Sequence, residues 1–492
     1  MSRQLMVWSA WFLGVTLSGQ TSTVQYLDAT ARQRLAARDA NGALEAYEKL
    51  ARMVPQSAAY QDEVGFLLAA TNRTPEAIPY LRRATELDPK MAQAWYHLGA
   101  ALGLTRQTAT AVGALQKAVE LAPGNADFRF RLGQAYNDTG HYSEAIRELA
   151  KAAPQLPSDP SVWETLGAVC MQQNRFQQAR DALRHAVELD PKNDAVRNSY
   201  GNALVRSGDP TAGLKEFRRV LEHDPDNVPV QVNVGYAYIA AGDMQAAIKQ
   251  LSDLTRKHPD DAGARYDLGI AYKSIDDLPH AQAELEKAVQ LDPSVAEAHY
   301  SLALTYIDAG VPDKAIDQLR AAVASRPSYM EAWYQLGNTL KQQDDADGAI
   351  EALRRSVALD AQNAAAWNNL GLLLRRKGDK AGAEEAFTKA AALRKAEEQD
   401  KEKRLQQGIK KQPLRTEFQL LVPRGYEPSR AALAPWRSCC WCRSAPGRHG
   451  RAPSRPPARP SNRACPGRRR PRLRCRWLPA AQRLVRSEDA AR

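Results

Sequence analysis

Apolar and polar residues recur along most of the chain at spacings of three and four, in pairs of runs separated by a turn. In residues 92–125 the apolar and small positions of the two runs are Trp95, Leu98, Gly99, Leu102, Ala111, Leu115 and Ala118. This spacing places them on one face of an α-helix, and Pro123 ends the second run. We therefore predict two amphipathic helices. A pair of this size cannot bury both of its faces, so it needs similar pairs on each side.

The same pattern returns every 34 residues without an insertion. With Ala92 counted as position 1, nine prolines fall at position 32: Pro55, Pro89, Pro123, Pro157, Pro191, Pro225, Pro259, Pro293 and Pro327. Position 8 is glycine in nine repeats, with Ala303 as an exception, and so small a residue lets two helix backbones approach closely. From the second repeat on, position 15 is Gly, Asn or Asp except at Arg106, which predicts a left-handed residue in the turn between the helices.

These positions resemble the tetratricopeptide repeat family, whose 34-residue unit is a helix-turn-helix. The family expects Trp at position 4, where this chain has Trp95, Trp163, Trp333 and Trp367, and Tyr at position 11, where it has Tyr136, Tyr238, Tyr272 and Tyr306. The resemblance implies an all-α superhelix, a solenoid of antiparallel helix pairs. We expect about eleven repeats over residues 24–397, with a degenerate first repeat at 24–57. A charged capping helix is expected at 398–411.

Residues 1–20 have a different composition. Arg3 precedes an uncharged run from Leu5 to Leu17, and Ser18 and Gly19 follow. A basic start, a short apolar run and small residues at its end are typical of a secretory signal peptide, so we expect export to the periplasm or secretion. An uncleaved membrane anchor and an apolar cap on the first repeat, in a cytoplasmic protein, are the alternatives.

The formal net charge of +12 is unevenly distributed. Residues 412–492 contain 19 Arg, 12 Pro, no Lys and 4 acidic residues, whereas the repeats mix Lys and Arg. A Pro- and Arg-rich segment of this kind cannot bury enough apolar surface to fold. Three explanations remain open: a disordered tail, a basic arm that binds nucleic acid or anionic lipid, and an out-of-frame translation of a GC-rich gene.

The sequence contains little that indicates catalysis or metal binding. Of six cysteines only Cys170 lies in the repeats, at the buried position 11. Cys439 and Cys442 have zinc-ligand spacing, but no second pair follows, so a zinc site is not expected. Phosphate-binding loops and hydrolase motifs are absent from the sequence. We predict no enzyme activity, no cofactor and no small-molecule substrate.

The resemblance implies that positions 2, 5, 9, 12 and 13 of the first helices line the concave face. At positions 5 and 9 aromatic and amide side chains recur: Tyr96, Phe130, Asn198, Asn202, Tyr236, Tyr266, Tyr300, Tyr334, Asn338 and Asn368. Such side chains can pack against an extended peptide and hydrogen-bond to its backbone, so they form the candidate peptide-binding groove. The alternative is that they only pack against the next repeat.

Two details of charge refine the candidate groove. The family's clamp for a terminal carboxylate needs Lys at position 5 and Asn at position 9 of one repeat. Pairs such as Asp62 and Phe66 do not provide it, so the acidic C-termini of chaperones are disfavoured as ligands. Lys341, Arg375 and Arg376 lie near the C-terminal end of the groove, which favours an acidic segment there.

The sequence thus predicts a non-catalytic scaffold or adaptor that holds an extended protein segment, in envelope assembly or secretion. A second hypothesis is a substrate-recruiting array of a larger enzyme, such as a glycosyltransferase, with its catalytic domain lost at about Gln412. A third is a nucleic-acid binder that acts through its basic tail. Self-association into a homo-oligomer is also left open.

Overall fold

The computed structural model describes residues 22–406, which form 22 α-helices, one short 3-10 helix and no strand. Each repeat contributes two helices, so odd-numbered helices are first helices and even-numbered helices are second helices. This confirms the predicted all-α array of helix pairs. The described residues divide into two compact units, 22–156 and 157–406, called unit 1 and unit 2.

Unit 1 holds the first four repeats. Its helices are α1 (22–36), α2 (Ala40–Met53), α3 (Ala58–Ala70), α4 (Thr74–Leu87), α5 (Ala92–Leu104), α6 (Thr108–Leu121), α7 (Ala126–Asp138) and α8 (Tyr142–Ala152), followed by the 3-10 helix Ala153–Gln155. The second helix α8 is shorter than the other second helices because Pro154 has no N–H for the next helical hydrogen bond. The 34-residue pattern did not predict this early end.

Unit 2 holds the other seven repeats. Its helices are α9 (Pro160–Gln172), α10 (Phe176–Leu189), α11 (Asp194–Arg206), α12 (Pro210–His223), α13 (Val228–Ala241), α14 (Met244–Lys257), α15 (Ala262–Ser274), α16 (Leu278–Leu291), α17 (Ala296–Asp308), α18 (Pro312–Ser325), α19 (Met330–Gln342), α20 (Ala346–Leu359), α21 (Ala364–Arg376) and α22 (Lys380–Gln406). The last of these is 27 residues long. It therefore runs without interruption from the eleventh repeat into the segment that we expected to form a separate cap.

Position 8 sets how closely the two helices of a repeat approach. A Cβ atom on Gly235 would lie 2.4 Å from Cδ2 of Leu251, and one on Gly201 would lie 2.5 Å from Cε1 of Phe217. The same clash recurs with the apolar side chain at position 24 in the other repeats with this glycine. The predicted role of position 8 is confirmed, and its partner is the position-24 side chain.

Position 15 takes the left-handed conformation in every turn between the helices of a repeat. The φ angle is +78° at Gly140 and +64° at Asn72, as the residue types predict. It is also +61° at Arg106 and +62° at Arg38, although a side chain with a Cβ is disfavoured there. The turn geometry of the repeat therefore overrides local preference at these two arginines.

Position 4 ties most repeats to the one before them. Its side chain donates a hydrogen bond to the carbonyl oxygen six residues earlier, as from Trp95 Nε1 to Pro89 O (3.0 Å) and from Arg265 Nε to Pro259 O (2.6 Å). Trp163 is an exception, since its buried Nε1 has no partner among the described residues. Arginine at position 4 also pairs with glutamate at position 23, as in Arg265 and Glu284 (2.6 Å). Where position 4 is tryptophan, position 23 is alanine. The larger indole side chain is thus matched by a smaller side chain at position 23.

Residues 1–21 and 407–492, which include the predicted signal peptide and the predicted tail, lie outside the described residues. Among residues 22–406, no helix combines the length and the apolar character that crossing a membrane requires.

Candidate functional site

The first helices of successive repeats form one side of each unit, called here the first-helix surface. On it, position 5 of one repeat meets position 6 of the next, 35 residues later. Three hydrogen bonds follow this rule: Asp62 with His97 (2.9 Å), Asn233 Nδ2 to Asn198 Oδ1 (2.9 Å) and Tyr266 with Ser301 (3.3 Å). These bonds link the first helices in register and determine which side chains stay accessible.

In unit 1 the first-helix surface carries a buried ion pair. His97 Nδ1 lies 2.9 Å from Asp62 Oδ1, with only 11% and 4% of the two side chains exposed. Phe66 stacks on the imidazole at 4.8 Å, and Gln93 Nε2 lies 2.8 Å from Nε2. Burial disfavours the charged imidazole, but the Asp62 carboxylate and Glu63 more than offset this, so the pKa of His97 is raised. The contact with Asp62 therefore favours a protonated histidine, whose Nε2 also donates and needs the oxygen of the Gln93 amide, not its nitrogen, opposite it.

Two predicted groove residues of unit 1, Tyr96 and Phe130, are half-buried. Tyr96 stacks on Phe128 of the next repeat, with ring centroids 4.6 Å apart. Phe128 is buried at position 3, where five of the eleven repeats have alanine and three have valine. The Tyr96 ring is thus fixed by its neighbour while one edge remains accessible.

In unit 2, four predicted groove residues are buried: Asn198, Asn202, Tyr236 and Tyr266 are 4–7% exposed. They fill the spaces between consecutive first helices, because small residues on those helices allow close approach. Burial, partly offset by the bond to Ser301, raises the pKa of Tyr266. For these four positions the structure corrects the prediction of groove-lining side chains, since they pack against the next repeat and form the floor of the surface.

Tyr300 belongs to a second packed group in unit 2. Its ring lies 5.1 Å from that of Tyr329, and the guanidinium of Arg326 lies 5.0 Å above the Tyr329 ring and pairs with Glu297. Burial and Glu331 raise the pKa of Tyr300 to about 12, so its hydroxyl stays neutral. Tyr329 is only 2% exposed, which leaves Tyr300 as the accessible member of the group.

The last two first helices of unit 2, α19 and α21, hold the most accessible predicted residues. Tyr334, Asn338 and Asn368 are half-buried. Asn338 accepts a hydrogen bond from Asn369 Nδ2 (2.8 Å) through its oxygen, and Lys341 Nζ donates to Asn369 Oδ1 (3.2 Å). The Asn338 amide nitrogen and the whole Asn368 amide make no hydrogen bond to described residues. These groups can bond to an incoming peptide backbone.

The basic residues near this end are partly engaged within the chain. Arg376 pairs with Asp344 at 3.0 Å, and the guanidinium of Arg375 lies 5.4 Å from the centre of the Phe387 ring. Both arginines remain exposed. Positive charge is therefore present at this surface, although Arg376, one of the three basic residues, is already paired with a carboxylate.

The structure offers little for catalysis within the described residues. Burial raises the pKa of Cys170 to about 11, and its side chain is fully enclosed, which confirms the predicted packed thiol. Among residues 22–406, no three His, Cys, Asp or Glu side chains come together to hold a metal ion.

Sequence reasoning missed the residues that make the bonds between repeats. His97 and His299, which the repeat pattern does not single out, are largely buried. Asn233, Asn369 and Tyr329 were not singled out either. A search for complementary polar residues 35 positions apart would have found His97 and Asn233.

Family models match most of the repeat region. Residues 149–265 match the tetratricopeptide repeat domain of cytochrome c-type biogenesis protein H. Two other tetratricopeptide repeat models match residues 105–169 and residues 65–102, 266–330, 300–362 and 334–398. Together these matches cover about two thirds of the chain. No curated protein matches it.

Solved structures resemble parts of the chain. MamA is 28% identical, with 34% of this chain and 97% of MamA covered and a TM-score of 0.33. YrrB, described as a TPR protein with an unusual peptide-binding site, is 20% identical over 37% of this chain and 95% of YrrB, with a TM-score of 0.35. A tetratricopeptide repeat protein from Parabacteroides merdae is 13% identical over 51% of this chain and 98% of its own, with a TM-score of 0.46.

Proposed function

Because the chain belongs to the tetratricopeptide repeat family, we propose that it is a non-catalytic scaffold that binds an extended segment of another protein. The binding surface is the first-helix surface of α19 and α21, centred on Tyr334, Asn338 and Asn368. The family supports this proposal, because stacked helix pairs of this kind form extended surfaces that bind other proteins.

The observation that carries this proposal is the unused hydrogen-bonding capacity of half-buried side chains on a rigid support. The Asn338 amide nitrogen and the Asn368 amide have no partner among the described residues, while the bonds from Asn369 and Lys341 hold the surrounding side chains in place. A peptide backbone offers one donor and one acceptor per residue. An amide side chain can satisfy both, and Tyr334 adds ring surface and a hydroxyl.

The positive charge of Lys341, Arg375 and Arg376 supports an acidic segment as the ligand. Two of these three side chains have no carboxylate partner, and charge complementarity increases the rate of association and discriminates against basic segments. We expect the affinity to fall as the salt concentration rises.

Photo-crosslinking in producing cells tests the proposal. A photoreactive phenylalanine analogue replaces Tyr334, and a matched variant carries it at Lys249, an exposed residue of the second helix α14. We expect a discrete crosslinked protein from the first position only. Adding Asn338→Ala and Asn368→Ala to the first variant should remove most of that product.

Equal crosslinking from both positions, or a product insensitive to the asparagine changes, would contradict a specific surface. Circular dichroism of each variant controls for folding, since the half-buried asparagines contribute little to the helix core.

The proposal includes a place of action in the cell envelope, as an assembly or secretion adaptor. Its support is the basic, apolar and small-residue order of residues 1–20. The intact mass of the natively expressed protein in each cell fraction is the test. Loss of about 18–20 residues in an envelope or secreted fraction is the expected result, and a full-length protein confined to the cytoplasm would refute export.

A further inference from the structure

In four repeats a tyrosine at position 11, namely Tyr136, Tyr238, Tyr272 or Tyr306, fills the space between the second helices of consecutive repeats. Its hydroxyl bonds to position 25 of the preceding repeat: Tyr136 accepts from Gln116 Nε2 (2.7 Å), Tyr238 accepts from Arg218 (3.2 Å) and Tyr306 donates to Glu286 (2.5 Å). Position 19 covers the ring from the other side, as Lys314 does 5.3 Å from the centre of Tyr306. The chain thus shows three times how a phenol fits this space.

In the tenth repeat the same space lacks its ring. Position 11 is Leu340, which has no ring to fill the space, and position 19 is Gly348, which has no side chain to cover it. A cavity of about 510 Å³ opens here between α18, α19 and α20. We call it the repeat-10 cleft, and its apolar lining includes Val323, Trp333, Leu336, Leu340 and Ala352.

The charge at the cleft is positive. Arg320, at the position that bonds to the tyrosine hydroxyl in other repeats, lies on its rim with Arg355. Both arginines are exposed and make no hydrogen bond or ion pair with the described residues. Glu351 is the single acidic side chain of the lining, so the rim carries an excess of one positive charge.

We propose that the repeat-10 cleft binds an aromatic side chain presented by an acidic segment of a partner protein. The ring takes the place that tyrosine occupies in other repeats and packs against the half-buried indole of Trp333. A phenol hydroxyl accepts from Arg320, as Tyr238 does from Arg218. Neighbouring carboxylates pair with Arg355 and the remaining Arg320 donors, since guanidinium and carboxylate match in geometry.

Charge decides between a partner and the chain's own tail as the occupant. Residues 412–492 contain aromatic residues but also 19 Arg against 4 acidic residues. Two rim arginines repel such a segment and attract an acidic one. The cleft lies between two second helices, α18 and α20, and the face of α19 that carries Trp333, Leu336 and Leu340. It uses none of the residues of the proposed groove, so it is an additional binding site and does not depend on that groove.

Calorimetry with the full chain and a blocked pentapeptide, acetyl-Asp-Glu-Tyr-Glu-Asp-amide, tests this inference. We expect a dissociation constant of about 10–100 μM, typical of one buried ring and a few ion pairs. Replacement of the peptide tyrosine by alanine should weaken binding at least about tenfold. No binding at millimolar peptide, or equal binding of the alanine peptide, would overturn the proposal.

The variant Leu340→Tyr introduces the residue that four other repeats have at this position and should fill the cleft. We expect it to remove peptide binding without loss of helicity, whereas Leu204→Tyr, the same change in the sixth repeat, should leave binding intact. Arg320→Glu should also weaken binding, and Arg184→Glu, an exposed control at the same position of the fifth repeat, should not. Unchanged binding by Leu340→Tyr would assign the peptide to another site, and tighter binding of a synthetic peptide of residues 470–480 would make the chain's own tail the occupant; either result would overturn the proposal.

Discussion

Arg265 and Trp333 occupy the same position of their repeats and solve the same packing problem with different chemistry. Each donates a hydrogen bond to the proline carbonyl six residues before it. The arginine needs a carboxylate at position 23, which Glu284 supplies, while the larger indole needs a small residue there, which is Ala352. Position 4 and position 23 are therefore coupled through volume and charge.

This coupling predicts the result of an exchange. Glu284→Ala leaves the Arg265 guanidinium, only 12% exposed, without its carboxylate, and should cost about 2–3 kcal/mol of unfolding free energy. Adding Arg265→Trp should restore stability to within about 1 kcal/mol of the original, since a packed apolar pair can replace a buried ion pair. Urea unfolding followed by circular dichroism gives both values. Additive losses in the double variant would disprove the coupling.

His97 provides a second residue-scale prediction. Its pKa is raised in the folded chain by Asp62 and Glu63 against the effect of burial. A group of this kind contributes stability that is fully present below its unfolded pKa of about 6.5 and is lost as pH rises through the folded value. We therefore expect the free energy of unfolding of unit 1 to fall as pH rises above about 6.5.

The His97 titration can be followed by NMR of the imidazole together with urea unfolding at several pH values. In His97→Gln this component of the pH dependence should disappear. A folded pKa at or below the ordinary value, or an unchanged pH profile in the variant, would show that Asp62 does not stabilise the charged form.

At the scale of the helix pair, close approach depends on one atom. Both Gly99 and Gly103 lie in α5, one turn apart. A Cβ on Gly99 would lie 2.5 Å from Cγ of Leu115, whereas nothing lies within 4 Å of a Cβ on Gly103. The two glycines therefore differ in packing although both lie within α5, which makes them a useful pair to compare.

Opposite effects are expected for the two alanine substitutions. Gly99→Ala forces α5 and α6 apart and should cost about 1–3 kcal/mol. Gly103→Ala restricts the unfolded chain without a clash and should gain about 0.5–1 kcal/mol. Urea midpoints measured on the same day in the same buffer compare them directly. Shifts of the same sign would mean that α6 moves freely to accept the extra methyl group.

The helix pairs were well predicted from the sequence because their determinants are local. The 3.6-residue period, the glycine at position 8 and the turn residue at position 15 each act within one repeat. The early end of α8 at Ala152 was missed because the repeat pattern places the helix-ending proline at position 32, which is Pro157. Pro154 lies outside that pattern and ends the helix earlier. The Arg38 and Arg106 turns show the converse, since packing of the two helices imposes a conformation that the residue type disfavours.

At the scale of the whole molecule, each helix pair contacts mainly its neighbours in the chain. The stability of such an array is approximately a sum over repeats and their interfaces, so disruption should remain local. Leu285 of α16 is fully buried and lies against the backbone of Gly269. Leu285→Ala should cost about 2–5 kcal/mol locally.

Hydrogen exchange by mass spectrometry tests this locality. We expect faster exchange in α15, α16 and α17 of Leu285→Ala, with protection in α3 to α6 unchanged. Uniformly faster exchange over residues 22–406 would indicate a single cooperative unit instead.

The sequence by itself determined the repeat, its number, its two helices and the residues at their contact, because these depend on a pattern that recurs within each 34-residue unit. The tertiary structure decided which polar and aromatic side chains remain accessible. Asn198 and Asn338 are both asparagines on first helices, yet the first is buried against Asn233 and the second keeps its amide nitrogen available. Exposure depends on the residue that the next repeat places opposite, and a position-by-position pattern does not contain that pairing.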